Sequence, residues 1–327
     1  MRLVKLASAP GRAPRPAPPV GLEPRTLGAA YERCRQLHAR HGRTYYLATL
    51  LLPRWKRRHV HALYGFTRYA DEIVDNLAST LDRPAQAAAL RAWGTRLFAG
   101  LRGAPCPDPV LPAVLHTIRA FALDVGDFQR FLDAMAADLT IDRYQSYQDL
   151  CGYMEGSAAV IGTMMAPILE STDPPAAAAH ARQLGLAFQL TNFIRDIAED
   201  YQRGRVYLPS ADLDRFGVDR ADLAAPTASP ALAELLAFEI ERARDHYRAA
   251  APGIELLAPS SQPCIRVAYQ LYGAILNEVE QAGYQVLDRR ITVPRHRRLA
   301  VASHHWLTAH RAARAERRVT ITTPGTP

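Results

Sequence analysis

The chain has 327 residues, of which 48% are apolar and 22% are charged, a balance that is typical of a folded globular protein and excludes a disordered one. A chain of this length buries enough apolar surface to fold without disulfides or structural zinc, and its four cysteines form no C-x-x-C pair, so we expect reduced thiols in a cytoplasmic protein. The net charge is +8, but the sequence contains neither a glycine-rich phosphate loop nor a nucleic-acid recognition motif, so we expect no nucleotide-binding site and no nucleic-acid partner.

The positive charge lies at the two ends of the chain. Residues 289–318 contain nine arginines and one acidic residue, and residues 1–25 contain five basic residues and one acidic residue. Residues 26–288 contain 26 basic and 30 acidic residues, so this region is net negative. Two interpretations of the basic C-terminal segment stay open: a solvated tail, or a surface that contacts the anionic inner face of a membrane.

Both ends of the chain are predicted to lie outside the folded domain. Residues 1–25 contain six prolines and no apolar stretch of the kind that a signal peptide needs, so we expect a disordered leader rich in proline and arginine. Residues 301–327 are predicted to form a basic, partly disordered tail. No uninterrupted apolar run approaches 18 residues, so we expect no membrane-spanning helix.

Residues 26–300 have a helical pattern almost throughout. Apolar residues recur three and four positions apart, and alanine, leucine, arginine and glutamate dominate the composition. Prolines and aspartates interrupt this pattern at intervals, and runs of alternating β-branched residues are missing. We therefore predict about a dozen helices packed as a single all-α domain.

The first chemically informative segment ends in a pair of aspartates. Tyr64, Arg68, Asp71 and Asp75 are separated by four, three and four residues, so on a helix they form one narrow stripe, called here the first acidic stripe. Aspartates four residues apart on a helix repel each other. Such a pair within apolar sequence indicates a bound cation, although a solvated helix face is the alternative interpretation of a single pair.

A second acidic stripe follows further along the chain. Gln189, Asn192, Asp196 and Asp200 have nearly the same spacing and again fall on one helical face. Carboxylate and amide oxygens on rigid helices suit Mg²⁺ or Mn²⁺, which also accept oxygen ligands from phosphate. If the two stripes face one cavity, the sequence predicts a cluster of divalent cations that binds a diphosphate.

Four arginines lie in or just after the two stripes, where they can neutralise a diphosphate: Arg68, Arg195, Arg203 and Arg205. Histidines show no metal-binding pattern, and we interpret the following as surface residues: His59, His61, His304 and His305. Several aromatic residues are interpreted first as core: Tyr45, Phe66, Phe188, Tyr269 and Tyr272.

Together these segments resemble the squalene/phytoene synthase family of head-to-head prenyltransferases. The similarity covers about residues 30–300, and its most specific part is the string Q-L-T-N-x-x-R-D-x-x-E-D-x-x-x-G-R-x-Y-L-P at 189–209. The segment YYLATLLLP at 45–53 supports it. The resemblance implies an isoprenoid-synthase fold with helices around a central cavity, a requirement for Mg²⁺, and a prenyl diphosphate substrate.

The resemblance also implies roles for individual residues. It assigns metal binding to two pairs, Asp71 with Asp75 and Asp196 with Asp200. It places the following residues at positions that line the site or act on the substrate: Tyr64, Arg68, Tyr153, Gln189, Asn192, Arg195 and Tyr272.

Two positions depart from the family pattern. The family often has a serine where Gly42 stands, and often a second aromatic residue where Glu155 stands. Neither departure removes an aspartate, so they bear on substrate detail and rate more than on the class of reaction.

The resemblance implies that two prenyl diphosphates join head to head through a cyclopropylcarbinyl diphosphate. The wording at 152–162 and 287–294 is most like that of bacterial phytoene synthases, which join two geranylgeranyl diphosphates without a reductant, so we expect no NADPH and a role in carotenoid biosynthesis. The alternative is a synthase of presqualene diphosphate, squalene or dehydrosqualene that uses farnesyl diphosphate. A non-catalytic relative that binds prenyl diphosphates or a partner protein is an alternative of another class.

Overall fold

The structure is a computed structural model, and it describes residues 24–75 and 81–322. Within these ranges the chain forms sixteen α-helices and one π-helical turn, with two isolated β-bridges and no strand. The all-α prediction is confirmed. The predicted leader lies outside the described residues, except that Pro24 and Arg25 already belong to the first helix.

The first half of the chain contains α1 (Pro24–His41), α2 (Arg43–Thr49), α3 (Arg54–Asp75), α4 (Arg83–Leu101), α5 (Leu111–Phe121) and α6 (Val125–Ala137). The middle contains α7 (Tyr147–Met154), the π-helical turn Glu155–Ala159, α8 (Val160–Leu169), α9 (Pro174–Arg195), α10 (Ile197–Gln202) and α11 (Ser210–Phe216). The last part contains α12 (Arg220–Ala224), α13 (Pro230–Ala250), α14 (Gly253–Leu256), α15 (Gln262–Gln281) and α16 (Arg295–Thr322).

The helices outnumber the predicted dozen because several of them are very short. Five of those described have only four to seven residues, too few for a periodic pattern to separate them from loops. At the other end of the scale, α16 has 28 residues and crosses the predicted domain boundary at residue 300. None of the helices in the described ranges is both long and apolar enough to cross a bilayer.

Polar caps explain where many of the helices begin. The side chains of Asp82, Asp173 and Ser229 each accept a hydrogen bond from a backbone N–H in the first turn of α4, α9 and α13. Ser146 and Asp219 form reciprocal capping boxes at α7 and α12. Such caps satisfy N–H groups that have no partner within the helix, so the aspartates and prolines that interrupt the sequence pattern mark true helix starts.

The two helices that carry the acidic stripes, α3 and α9, both pack against α8. Glycines allow the close approach of α8 and the π-helical turn to α9. A Cβ atom at Gly162 would lie 2.2 Å from the carbonyl oxygen of Ala181, and one at Gly185 would lie 2.5 Å from that of Ala158. Since real Cβ atoms do not approach backbone so closely, these two glycines fix the spacing of the scaffold behind the stripes.

Aromatic packing fills the core between α3, α4 and α6. Phe66 stacks on Trp93 with ring centroids 5.2 Å apart and meets Phe128 edge to face at 5.1 Å, and all three side chains are fully buried. The interpretation of Phe66 as core is therefore confirmed. The four cysteines, all of which lie in the described ranges, are free thiols.

The interpretation of the histidines as surface residues is wrong for three of the four. His59 and His61 are buried, as is His305, while His304 is exposed. The Nδ1 atom of His59 lies 3.1 Å from the hydroxyl of Tyr31, and burial lowers the pKa of His59 to about 3. Local sequence could not reveal this burial, because it arises from contacts of α3 with α1 and α5.

A buried lysine joins three distant segments. Lys56 is 0% exposed, and its Nζ donates to the carbonyl oxygen of Leu169 at 3.0 Å and to the hydroxyl of Ser261 at 2.9 Å. It also lies 2.7 Å from a carboxylate oxygen of Glu170. An ammonium group offers three hydrogen-bond donors on one atom, so lysine fits this position in a chain whose other basic residues are nearly all arginine.

We predict that Lys56→Met lowers the free energy of unfolding by about 2 kcal/mol, because buried acceptors lose their donor. Urea denaturation followed by circular dichroism measures this change. Arg91→Met serves as the control, since Arg91 is exposed on α4 and its loss is expected to cost less than about 0.5 kcal/mol. Equal stability of the two variants would contradict the anchoring role of Lys56.

Candidate active site

The first acidic stripe lies on the C-terminal half of α3. Tyr64 is half-buried, and burial raises its pKa while the nearby charge of Arg68 opposes that rise and Asp71 adds to it. The Nε atom of Arg68 donates to Glu72 at 3.3 Å. Asp75 is the last residue of α3, and its side chain lies outside the described residues. Three members of the stripe thus interact as the spacing predicts.

The second acidic stripe spans a break between two helices. The sequence predicts one continuous helix here, but α9 ends at Arg195 and α10 begins at Ile197. The backbone N–H of Asp196 still donates to the carbonyl of Asn192 at 2.8 Å, and that of Asp200 donates to the carbonyl of Asp196 at 2.9 Å. The spacing of a helix is therefore kept across a kink at Asp196.

Two arginines bind the carboxylate of Asp196. Arg195 donates to both of its oxygens, from Nε at 2.7 Å and from Nη2. Arg290 also reaches both oxygens, from Nε and from Nη2, each at 3.0 Å. The carboxylate is only 14% exposed. Burial is the largest single effect and lowers the pKa of Arg195, but the hydrogen bond and negative charge of Asp196 together with Tyr272 outweigh it, so the net pKa is raised.

Arg290 is a site residue that the sequence analysis did not single out. It lies in the loop between α15 and α16, and its Nη1 atom is also 3.7 Å from Glu199. The available signal was its place in the string L-D-R-R-I-x-V-P at 287–294, but the residue was counted only as part of the basic C-terminal segment. Its role becomes visible only when the chain folds back onto α10.

The segment after α10 brings two further arginines to Asp200. Arg203 lies 3.9 Å from a carboxylate oxygen of Asp200, and the backbone N–H of Arg205 donates to the carbonyl of Asp200 at 2.9 Å. Val206 then pairs with residue Asp142 through a backbone hydrogen bond of 2.8 Å. This pairing holds both arginines beside the second acidic stripe.

Tyr272 on α15 connects the two stripes. Its ring stacks on Tyr45 with centroids 4.3 Å apart and contacts Phe188 at 4.7 Å. Its proximity raises the pKa values of Arg195 and of Tyr64. The aromatic residues first interpreted as core thus include a group that lies directly against the arginine of the second stripe.

Tyr153 belongs to a separate aromatic group around a buried carboxylate. Its hydroxyl donates to Asp138 at 2.8 Å, and the hydroxyl of Tyr207 donates to the other oxygen at 3.2 Å. The ring of Tyr207 stacks on Phe193 at 4.1 Å, which is the neighbour of Asn192 in α9. Burial raises the pKa of Tyr153. Its hydroxyl is therefore engaged, and the residue is only 8% exposed.

The chemistry of the stripes fits a hard divalent cation. Their donors are all oxygens, which Mg²⁺ prefers, and the amide oxygen of Asn192 is buried without a hydrogen-bond partner in the described part of the chain. Such an orphaned acceptor one turn before Asp196 has the chemistry of a ligand for a hard cation. Among the residues that the structure describes, no three acidic, histidine or cysteine side chains converge on one point. Gln189 is half-buried one turn earlier on α9.

Glu155, which departs from the family pattern, forms an ion pair outside the two acidic stripes. Its carboxylate lies 2.7 Å from Arg182, and both side chains are partly exposed. Glu155 opens the π-helical turn, a local distortion that is frequent near functional sites. The turn begins two residues after Tyr153.

Comparisons with known proteins agree with this geometry. Residues 38–297 match the family described as squalene/phytoene synthase. The chain is 34% identical over 285 residues to the 15-cis-phytoene synthase of Synechococcus elongatus, covering 84% of this chain and 91% of that one. It is 35% identical over 291 residues to the 15-cis-phytoene synthase of a Synechocystis species, covering 86% and 85%.

Solved structures with the same fold include a dehydrosqualene synthase and a squalene synthase. A ligand-bound dehydrosqualene synthase superimposes with a TM-score of 0.79 at 27% identity, covering 86% of this chain and 96% of that one. The squalene synthase HpnC of Alicyclobacillus acidocaldarius superimposes with a TM-score of 0.70 at 28% identity, covering 80% and 97%.

We predict that Asp138→Ala lowers the free energy of unfolding by about 3 kcal/mol, because two buried tyrosine hydroxyls lose their acceptor. Thermal and urea unfolding measure the loss. Asp133→Ala is the matched control, since Asp133 is exposed on the neighbouring helix α6 and little change is expected. A variant of Asp138 that is as stable as this control would show that the buried carboxylate does not hold Tyr153 and Tyr207.

Proposed function

The chain belongs to the squalene/phytoene synthase family and is a prenyltransferase, and we propose that it joins two molecules of geranylgeranyl diphosphate head to head to form phytoene. The observation that carries this proposal is the match to 15-cis-phytoene synthases over most of both chains. The reaction releases two diphosphates and passes through a cyclopropylcarbinyl diphosphate. It loses protons and gains no hydride, so it needs no NADPH. Its product belongs to carotenoid biosynthesis.

Two kinds of oxygen ligand would hold the divalent cations. One is the orphaned amide oxygen of Asn192, and the others are the carboxylates of the two stripes: Asp71, Asp75, Asp196 and Asp200. When bound, Mg²⁺ or Mn²⁺ supplies Lewis-acid stabilisation of the departing diphosphate. The same carboxylates balance the positive charge of the surrounding arginines, as Asp196 already does for Arg195 and Arg290.

The arginines beside the second stripe bind and orient the diphosphate. A guanidinium group donates two parallel hydrogen bonds equally well to a carboxylate and to a phosphate. Arg195 binds Asp196 in this manner, and Arg290 contacts both oxygens of the same carboxylate. We propose that the two guanidinium groups turn to the diphosphate when it binds. Arg68, Arg203 and Arg205 add positive charge at the ends of the two stripes and oppose diffusion of the cleaved diphosphate away from the site.

The aromatic residues exclude water from the reacting carbons and face the cationic intermediates. Tyr45, Phe188 and Tyr272 form a contiguous apolar surface beside Arg195, and aromatic faces stabilise positive charge. Tyr153 offers only its ring, because its hydroxyl is bound to Asp138. A water molecule admitted here would trap the allylic cation as an alcohol.

A second candidate function is the joining of two farnesyl diphosphates. It is favoured by the likeness to a dehydrosqualene synthase and to a squalene synthase, both at more than 25% identity. The two candidates share every aspartate and arginine of the site. They differ in the chain length that the apolar part of the site accepts.

The function is tested by the mass of the product. We expect purified protein with Mg²⁺ to convert geranylgeranyl diphosphate to a C40 hydrocarbon without a reductant. Farnesyl diphosphate, with and without NADPH, is the comparison substrate. A C30 product, or its cyclopropyl diphosphate, would favour the second candidate. Absence of any product from either substrate would favour a non-catalytic relative.

We predict that Asp71→Ala and Asp196→Ala each reduce turnover at least about 100-fold, because each removes a charge that the diphosphate site needs. Far-UV circular dichroism should remain that of the unchanged protein. Asp245→Ala is the control, since Asp245 is exposed on α13 and should keep full activity. Full activity in both stripe variants would overturn the assignment of the metal ligands.

The product of this reaction has no polar group, and we propose that α16 brings the protein to an anionic lipid surface that receives it. Three large apolar side chains of α16 face solvent: Leu299 is 62% exposed, Trp306 is 52% exposed and Leu307 is 57% exposed. Exposed arginines at 295 and 311 lie on the same helix. Exposed apolar side chains with arginines on the same helix are typical of a helix that lies in a bilayer interface.

We predict that the protein sediments with vesicles of anionic lipid and that Trp306 fluorescence shifts to the blue on binding. Trp306→Gln with Leu307→Gln should weaken sedimentation at least about tenfold, since burial of the two side chains is lost. Ile141→Gln is the control, because Ile141 is also exposed but lies far from α16 in sequence. Equal sedimentation of all variants would contradict the membrane proposal. So would self-association of the unchanged protein through α16 without binding to vesicles.

A further inference from the structure

Tyr64 is held in place by a histidine from another helix. The rings of Tyr64 on α3 and His38 on α1 stack with centroids 4.0 Å apart and an angle of 8° between their planes. Tyr64 is the member of the first acidic stripe whose hydroxyl group lies near Arg68, Asp71 and Tyr272. Its orientation therefore decides where a hydroxyl group stands between the two stripes.

The stacking histidine is itself fixed by a second histidine. The Nδ1 atoms of His38 and His61 lie 2.9 Å apart, so one ring donates a hydrogen bond to the other. Both side chains are buried, and burial lowers their pKa values to about 3 and about 4, respectively. Tyr46 packs against both rings at 5.6 Å. A neutral, hydrogen-bonded pair enclosed in this way cannot rotate freely.

Gly42 leaves the space that this stack needs. A Cβ atom at position 42 would lie 2.7 Å from Cδ2 of His38 and 2.7 Å from Cε2 of Tyr64. The φ angle of Gly42 is −98°, which any residue adopts, so the backbone does not require glycine. The requirement comes from the two rings, and any side chain at this position would displace at least one of them.

We propose that His38 is a positioning residue for Tyr64, and that Gly42 is the glycine that makes this positioning possible. The proposal rests on the proposed function, since Tyr64 would act on the substrate of that reaction. The serine that the family often carries at position 42 is incompatible with the stack in this chain. Tyr64 is thus presented to the diphosphate region by a His38–His61 pair braced against Tyr46.

The test is a double-mutant cycle with Gly42→Ser, Tyr64→Ala and the double variant, in which kcat and KM are measured separately with geranylgeranyl diphosphate. We expect Gly42→Ser to lower kcat at least about tenfold with KM changed less than about threefold, because a misplaced group costs transition-state stabilisation. In the Tyr64→Ala background the same substitution should change kcat less than about twofold, since the ring that it displaces is gone.

Gly94→Ala is the matched control, because its new methyl group would meet a Leu132 side chain at 2.9 Å and not Tyr64. Its kcat and KM should stay within about twofold of the unchanged protein. Thermal unfolding of all variants separates loss of folded protein from loss of rate. His38→Phe, which keeps a ring against Tyr64, should retain more of kcat than His38→Ala.

Independent effects of the Gly42 and Tyr64 substitutions, or full kcat in His38→Ala, would overturn the positioning role. Such an outcome in a protein that still makes product leaves the proposed function intact. An unchanged protein that converts neither the C20 nor the C15 diphosphate contradicts the proposed function and, with it, a role for Tyr64 in that reaction.

Discussion

The structure depends on the neutralisation of Asp196, a carboxylate at the end of a long helix and largely shielded from water. Negative charge is unfavourable at a helix C-terminus, and a poorly hydrated carboxylate needs a partner. Arg195 and Arg290 provide that partner through three hydrogen bonds and a further ion-pair contact. The same guanidinium groups have the geometry that suits a diphosphate, so we propose that the pairing with Asp196 also prepares the substrate site.

The scaffold keeps this charged centre at a fixed distance from the first acidic stripe. Glycines at the contact of α9 with α8 and the π-helical turn set the distance between these elements. Lys56 connects the start of α3 to the end of α8 and the start of α15. Tyr272 on α15 lies close enough to Arg195 and Tyr64 to raise the pKa values of both. Packing contacts away from the aspartates therefore determine the distance between the first and second acidic stripes.

Periodicity in the sequence was enough to predict the all-α fold and both acidic stripes, because the spacing of residues on a helix is a local property. The kink at Asp196 was missed, since Arg290, which comes from the loop after α15, contacts this carboxylate and helps to stabilise it. The roles of Arg290 and of the buried His59 and His61 were missed for the same reason. Each depends on a tertiary contact, and nothing within a few residues of these positions indicates it.

We propose that the arginines on Asp196 also bind the diphosphate. Isothermal titration of inorganic diphosphate in the presence of Mg²⁺ tests it most directly, with Arg290→Ala compared with Arg289→Ala, a variant of its exposed neighbour. We expect that loss of Arg290 weakens the affinity for diphosphate at least about tenfold, as for a charge-assisted pair, and that loss of Arg289 changes it less than about twofold. Equal affinities in the two variants would show that Arg290 does not bind the diphosphate.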